Sequence, residues 1–199
     1  MKDIKKSILL LVLVFCCTSC MQETTATPIS TYYGLLAKVN DFLSFCCFML
    51  SNSNSYIGQV ISRIYYVYFT LAKIRGYNDD YNQYRGSHEN IWLNMNSTIQ
   101  QKYGNELKQK RVKYDYDEKK PTTQDFIEDL SFIESNQALF KEIVKDIRGS
   151  LEENPVLTDD DDDFINQELS QIEAKHDELM DKIIEKIKTL KKSDTGKFK

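Results

Sequence analysis

Cysteines, histidines and clustered carboxylates are the side chains of this 199-residue chain with reactive potential. Their spacing limits what they can do. The two histidines, His88 and His176, stand in no Cys–His–Asp pattern of a zinc site. Glu173-Ala-Lys-His176 has the Glu-x-x-His form used by carboxylate-bridged di-iron bundles. Those bundles need a second such motif and two further carboxylates, so His176 reads as a polar residue on a helical seam. The run 159–163 is all aspartate. It lacks the spaced ligands, central glycine and closing glutamate of a calcium loop, and reads as a solvated helix start. There is no phosphate-cradling glycine loop, no Gly-x-Ser-x-Gly elbow and no dinucleotide fingerprint. Cys46 and Cys47 are adjacent, so they cannot cross-link distant segments. On a helix their side chains diverge by about 100°. They read as small apolar residues in or beside the core, with an exposed Cys47 joining two molecules as the alternative. The expectation is a protein without catalysis, metal or bound cofactor.

Cys20 has a chemistry of its own. Lys2, Lys5 and Lys6 make a basic start, and 8–15 are wholly apolar. A membrane span needs about 20 apolar residues, so this run is too short for one and has the length of a signal-peptide core. It ends in Cys17-Thr18-Ser19-Cys20. Small residues before a cysteine let a signal peptidase close around the scissile bond, and the free thiol can take a diacylglyceryl group. In this the chain resembles bacterial lipoprotein precursors. It departs from them at Cys17, where leucine is usual. Relaxed boxes of this kind are known from spirochaete lipoproteins, those of Borrelia especially. The resemblance implies that 1–19 are a cleaved signal peptide and that Cys20 is the lipidated first residue of the mature chain. It also implies anchoring in the cell envelope, at the surface of the outer membrane. An ordinary secretory signal cut near Ser19, or a short uncleaved anchor, are the alternatives.

Removing 1–19 takes three lysines and one aspartate with it, and the formal net charge goes from −4 to −6. That balance argues against general nucleic-acid binding, which needs a basic footprint. Scarce Gly and Pro favour helices over the remaining length. Residues 21–30 are Thr-rich, carry Pro28 and lack periodicity, which predicts a flexible tether over 20–30.

From Thr31 the helical period appears, with Leu35, Leu36, Val39, Phe42, Leu43, Cys46, Met49 and Leu50 on a broad apolar face. A second helix places Ile57, Val60, Ile61, Ile64, Tyr68, Leu71 and Ile74 on one face. Tyr65, Tyr66, Val67 and Phe69 widen that face nearly to a circle, which predicts a central position. A third helix is expected from about Glu89 to Val112, on Trp92, Met95, Ile99, Tyr103 and Leu107, weakened by Gly104. Thr122 or Thr123 caps a fourth, with Asp125 in its first turn and a possible break at Ser135-Asn136. The last helix starts at Thr158. Its ladder is Ile165, Leu169, Ile172, His176, Leu179, Ile183, Lys186 or Ile187, and Leu190, stepping by four and three as in a coiled-coil seam. That seam is also a candidate for homo-oligomer formation. The expected fold is an all-α bundle of four to five helices over 31–192, followed by a disordered tail, 193–199.

Residues 76–87 have no helical period and combine tyrosine, asparagine, glycine and arginine, the residues that binding loops favour. The segment reads as a loop, either a recognition surface anchored by Arg75, Tyr77, Tyr81, Tyr84 and Arg85 or a plain polar connector. The relaxed lipobox, short tether and charged helical domain are similar in plan to Borrelia surface lipoproteins, many of which bind host matrix or complement components. That similarity implies a surface protein binding a host or environmental macromolecule. A periplasm-facing envelope accessory or structural lipoprotein is the alternative. The processing reading is checked by metabolic labelling: radiolabelled palmitate should enter the wild type, and Cys20→Ala should abolish incorporation.

Overall fold

The computed structural model describes residues 28–52, 56–79, 88–93, 95–116, 120–151 and 157–195, all helical apart from short connections. Cys20 and the residues expected to form a signal peptide, 1–19, lie outside them. The elements are α1 (Pro28–Asn52), α2 (Ile57–Asp79), α3 (His88–Leu93), α4 (Ser97–Ile99), a π-helical stretch (Gln100–Leu107), α5 (Lys108–Tyr116), α6 (Thr123–Ser135), α7 (Ala138–Leu151) and α8 (Asp159–Thr195). Helix α2 is central, packing on α1, α5, α6 and α7, while α8 closes the bundle against α1, α6 and α7.

The expected all-α bundle is present, with three differences at element ends. Helix α1 begins at Pro28 rather than at Thr31. Proline lacks an N–H, but the first turn of a helix has no partner for that group anyway, so it opens a helix without penalty. Helix α2 runs on through Asp79, so the first part of the 76–87 segment is helical rather than loop. Helix α8 continues to Thr195, past the expected start of the tail.

The third expected helix is broken. The Asn96 side chain accepts from the Ile99 N–H at 3.0 Å and starts a new helix there. Short polar side chains compete for backbone groups in this way, and Asn-Ser-Thr at 96–98 outweighs the apolar period. The Gln100 amide spans the break, donating to the Met95 carbonyl at 2.7 Å. Gly104 is the reason Trp92 can fold back: a Cβ there would lie 2.9 Å from Trp92 Cγ. The wider π-helical turn brings Tyr103, Gly104 and Leu107 all into the core.

Two capping boxes fix the starts of α6 and α8. Thr122 Oγ1 accepts from the Asp125 N–H at 3.2 Å, and Asp125 accepts from the Thr122 N–H at 2.7 Å. Thr158 and Asp161 repeat the arrangement. Each satisfies helix N–H groups that would otherwise have no partner. The break at Ser135-Asn136 is present. The Asn136 side chain donates to the Phe132 carbonyl at 2.7 Å.

The core runs the length of the bundle. The whole α8 ladder is buried, with Ile187 rather than Lys186 in the seam. That seam faces α1, α6 and α7 of its own chain, so pairing with a second copy through it would compete with the fold. At the centre, His176 stacks on Phe140, with ring centroids 3.6 Å apart and planes within 4°. Its Nε2 is 3.1 Å from the Tyr68 hydroxyl. Tyr68 stacks on Tyr103 at 4.1 Å, and the Tyr103 hydroxyl donates to the Asn136 carbonyl at 2.6 Å.

Burial pushes the His176 imidazole down to about 3, so it stays neutral at physiological pH. Its value is lower folded than unfolded, so unfolding takes up a proton. The stability it permits is complete above about pH 6.5 and is lost as pH falls toward about 3. The slope in that window is ~1.4 kcal/mol per pH unit. His176→Phe should flatten the profile. Between pH 6.5 and 4.5 the variant should lose about 2 kcal/mol less unfolding free energy than the wild type, measured by urea titration. Equal slopes would mean that the imidazole accepts its proton without unfolding.

Candidate binding surface

Between Ile57 and Gly76, α2 has arginine and lysine but no acidic residue. Most of the helix is buried, so its cations must reach the rim. Long cationic side chains do this by laying their stems over apolar surface with the charged tip outward. The Arg63 guanidinium sits 5.9 Å from the ring centre of Phe42 on α1 and 6.0 Å from that of Tyr66. Lys38 on α1 lies 5.8 Å from the Phe42 ring centre. Contacts of this kind are each worth ~0.5–1 kcal/mol when exposed and more when desolvated.

Arg111 on α5 completes the row. Its guanidinium is 5.0 Å from the Tyr66 ring centre and 5.4 Å from that of Tyr116. It donates to the Tyr66 hydroxyl at 2.6 Å, the Tyr116 hydroxyl at 3.2 Å and the Asp115 carboxylate at 2.7 Å. Burial opposes its charge, but Tyr66 and Asp115 outweigh burial and raise its value, so the charge is fixed. Lys38, Phe42, Arg63, Tyr66, Arg111 and Tyr116 thus form a ridge of alternating cations and rings across three helices.

Two features set the geometry of the ridge. A Cβ on Gly58 would lie 2.6 Å from Tyr114 Cδ1, so the bare backbone there lets α5 close onto α2. On the far side of α5, Asp129 of α6 is only 5% exposed and accepts from Lys110, from Tyr114 at 2.6 Å and from Lys113 at 3.4 Å. This buried carboxylate holds three α5 side chains on the inward side and leaves Arg111 for the ridge.

The ridge is under-neutralised. Lys38, Arg63 and Lys108 form no ion pair among the described residues. Burial lowers the Lys73 ammonium value, and the nearby Lys38 lowers it further, so the two like charges feel each other. Along α5, Lys108, Val112 and Tyr116 recur at steps of four. Val112 is 41% exposed and Tyr116 69% exposed.

Of the residues singled out from sequence, Arg75 has a described side chain. Arg75 pairs with Asp146 of α7 at 3.0 Å and ties α2 to that helix. Tyr77 is in the last turn of α2, and its side chain lies outside the described residues, as do Tyr81, Tyr84 and Arg85. The ridge residues carry two signals in the sequence. One is the single sign of charge on α2. The other is the four-step recurrence of exposed apolar and cationic residues on α5. Tyr66 merges into the apolar face because periodicity cannot tell a rim tyrosine from a core one.

Elsewhere, among the described residues no cluster of three or more His, Cys, Asp or Glu is placed to hold a metal ion. An open groove between the end of α1 and α8 is lined by Leu50, Asp181, Lys182 and Glu185, with Lys182 tied to Ser51 at 3.0 Å. No protein-family model, curated protein or solved structure matches the chain.

Cys46 and Cys47 are both buried and unpaired with each other. The Cys46 thiol faces the Val60 carbonyl at 3.7 Å, and that of Cys47 faces the Lys175 carbonyl at 4.0 Å. Burial pushes the Cys46 thiol far up and that of Cys47 up to about 11. The thiolate is the reactive species, so both should be inert in the folded bundle. With Cys20 replaced by alanine and the signal removed, a disulfide-exchange dye at pH 8 should find no titratable thiol in native protein and two after denaturation. Rapid native reaction of one thiol would return Cys47 to the surface.

Proposed function

We propose that this chain is a non-enzymatic lipoprotein of the bacterial cell surface, displaying its helical bundle to bind a macromolecule of the host or environment. The observation that carries binding is the cation–aromatic ridge. A chain that is acidic overall places Lys38, Arg63 and Arg111 in this ridge, with Lys108 on the α5 row of Val112 and Tyr116, and Asp115 is the carboxylate that pairs within it. Self-repulsion of that kind lowers stability unless an anionic surface covers it. Arginine and tyrosine are also the side chains that concentrate binding energy at protein interfaces.

The anchoring part rests on the Cys17-Thr18-Ser19-Cys20 segment. The described bundle opens with α1 at Pro28. Residues 21–27, fully extended, span at most about 25 Å. The bundle would therefore stand close to the headgroups. The reading against catalysis draws support from the titratable groups of the core. His176 is neutral and enclosed, and both thiols are desolvated. Surface display and a periplasm-facing accessory role separate in one measurement. Protease added to intact cells should degrade this protein while sparing a periplasmic marker. Full protection on intact cells, with digestion after outer-membrane permeabilisation, would place it on the periplasmic face.

A further inference from the structure

We infer that the ridge is a docking surface for an acidic, aromatic-containing segment of a partner protein. This inference rests on the proposed binding role and supplies the chemistry of the partner. Three observations select that occupant. First, the Arg63 guanidinium lies against the Phe42 and Tyr66 rings and forms no ion pair among the described residues, so its donor edge is open, while that of Arg111 is already used on Asp115, Tyr66 and Tyr116. Planar guanidinium edges match carboxylates, which can accept two parallel hydrogen bonds. Second, the faces of Phe42 and Tyr66 are occupied by the chain's own cations. Those rings are therefore poorly placed to stack on sugar rings, which weighs against a polysaccharide. Third, exposed Val112 and Tyr116 flank Arg111 on α5. An apolar residue beside a cation is of use to a protein partner that can bury it, and of little use to a sulfated chain. Aromatic and arginine residues together make the energetic centre of such interfaces.

The test uses the full chain in non-ionic detergent and a fluorescent random copolymer of glutamate and tyrosine as probe. Binding is read by anisotropy, so it does not depend on where the protein resides in the cell. The wild type should bind the copolymer, and binding should weaken as salt is raised, because exposed charges are screened. Lys38→Glu, Arg63→Glu and Lys108→Glu together should weaken it at least tenfold. The same reversal at Lys145, Lys188 and Lys191 of α7 and α8 should leave it unchanged. Val112→Ser should weaken copolymer binding several-fold. The charge-neutral set Lys38→Gln, Arg63→Gln and Lys108→Gln, with a thermal melt on every variant, separates loss of the surface from loss of fold. Equal binding by wild type and the ridge variants would overturn the inference. So would a sulfated oligosaccharide of matched charge that binds more tightly than the copolymer and is indifferent to Val112→Ser. Absence of copolymer binding by the wild type would overturn it as well. None of these outcomes bears on lipidation or surface exposure, which the labelling and protease experiments decide.

Discussion

The His176 imidazole lies flat on Phe140 with its Nε2 3.1 Å from the Tyr68 hydroxyl, and the packing of the bundle is arranged around that contact. It joins α8 to α7 and α2, and through the Tyr68–Tyr103 stack it reaches the π-helical stretch. Tyr103 then satisfies the Asn136 carbonyl where α6 gives way to α7. A polar ring in an apolar interior is tolerated only when it is neutral and partnered. The histidine is partnered at Nε2 alone, its buried Nδ1 having no hydrogen-bond partner among the described residues, so a shift of α8 by one turn would cost the imidazole its contact with Tyr68. The π-helical turn and the α6–α7 break, each a local departure from regular helix, are where the chain accommodates this cluster.

Charge is handled in two opposite ways on the two sides of α5. Inward, Asp129 is buried, and Lys110, Lys113 and Tyr114 surround it. Removing one partner from such a group leaves an uncompensated buried charge, so the cluster locks α5 to α6. Outward, Arg111 has a single carboxylate and two phenol hydroxyls, and its neighbours Arg63 and Lys38 have rings in place of counter-ions. The same helix thus supplies a closed ion cluster to the fold and an open row of cations to the surface. Gly58 makes the second possible by letting α5 approach α2.

Much of this architecture is legible in the amino-acid sequence. The α8 ladder, the apolar wrap of α2 and the Thr122 and Thr158 starts all follow from local rules, because side-chain period and capping depend on residues within a few positions of each other. The break at Asn96 is hidden because an apolar period runs through it. There the local competition of Asn-Ser-Thr for backbone groups wins, helped by a distant contact between Trp92 and Gly104. The cation–aromatic ridge is hidden for another reason. Its members come from positions 38, 63 and 111, and no spacing rule connects them.

The sequence by itself determined the helical class, the central place of α2 and the capped starts of α6 and α8. The proposed export address ending at Cys20 rests on it alone. These are properties of neighbouring residues: hydrophobic period, a hydroxyl followed three residues later by a carboxylate, an apolar run ending in small residues and a cysteine. Tertiary structure decided which polar groups are neutral and which remain charged. His176 loses its charge because Phe140 and Tyr68 replace water around it, while Arg111, whose guanidinium is always charged, meets Asp115 and the Tyr66 and Tyr116 hydroxyls as partners. It also decided that the cations of α1, α2 and α5 form one surface while Arg75 is spent on Asp146. Desolvation and charge proximity depend on which segments of chain meet in space, and that is settled only when the helices pack.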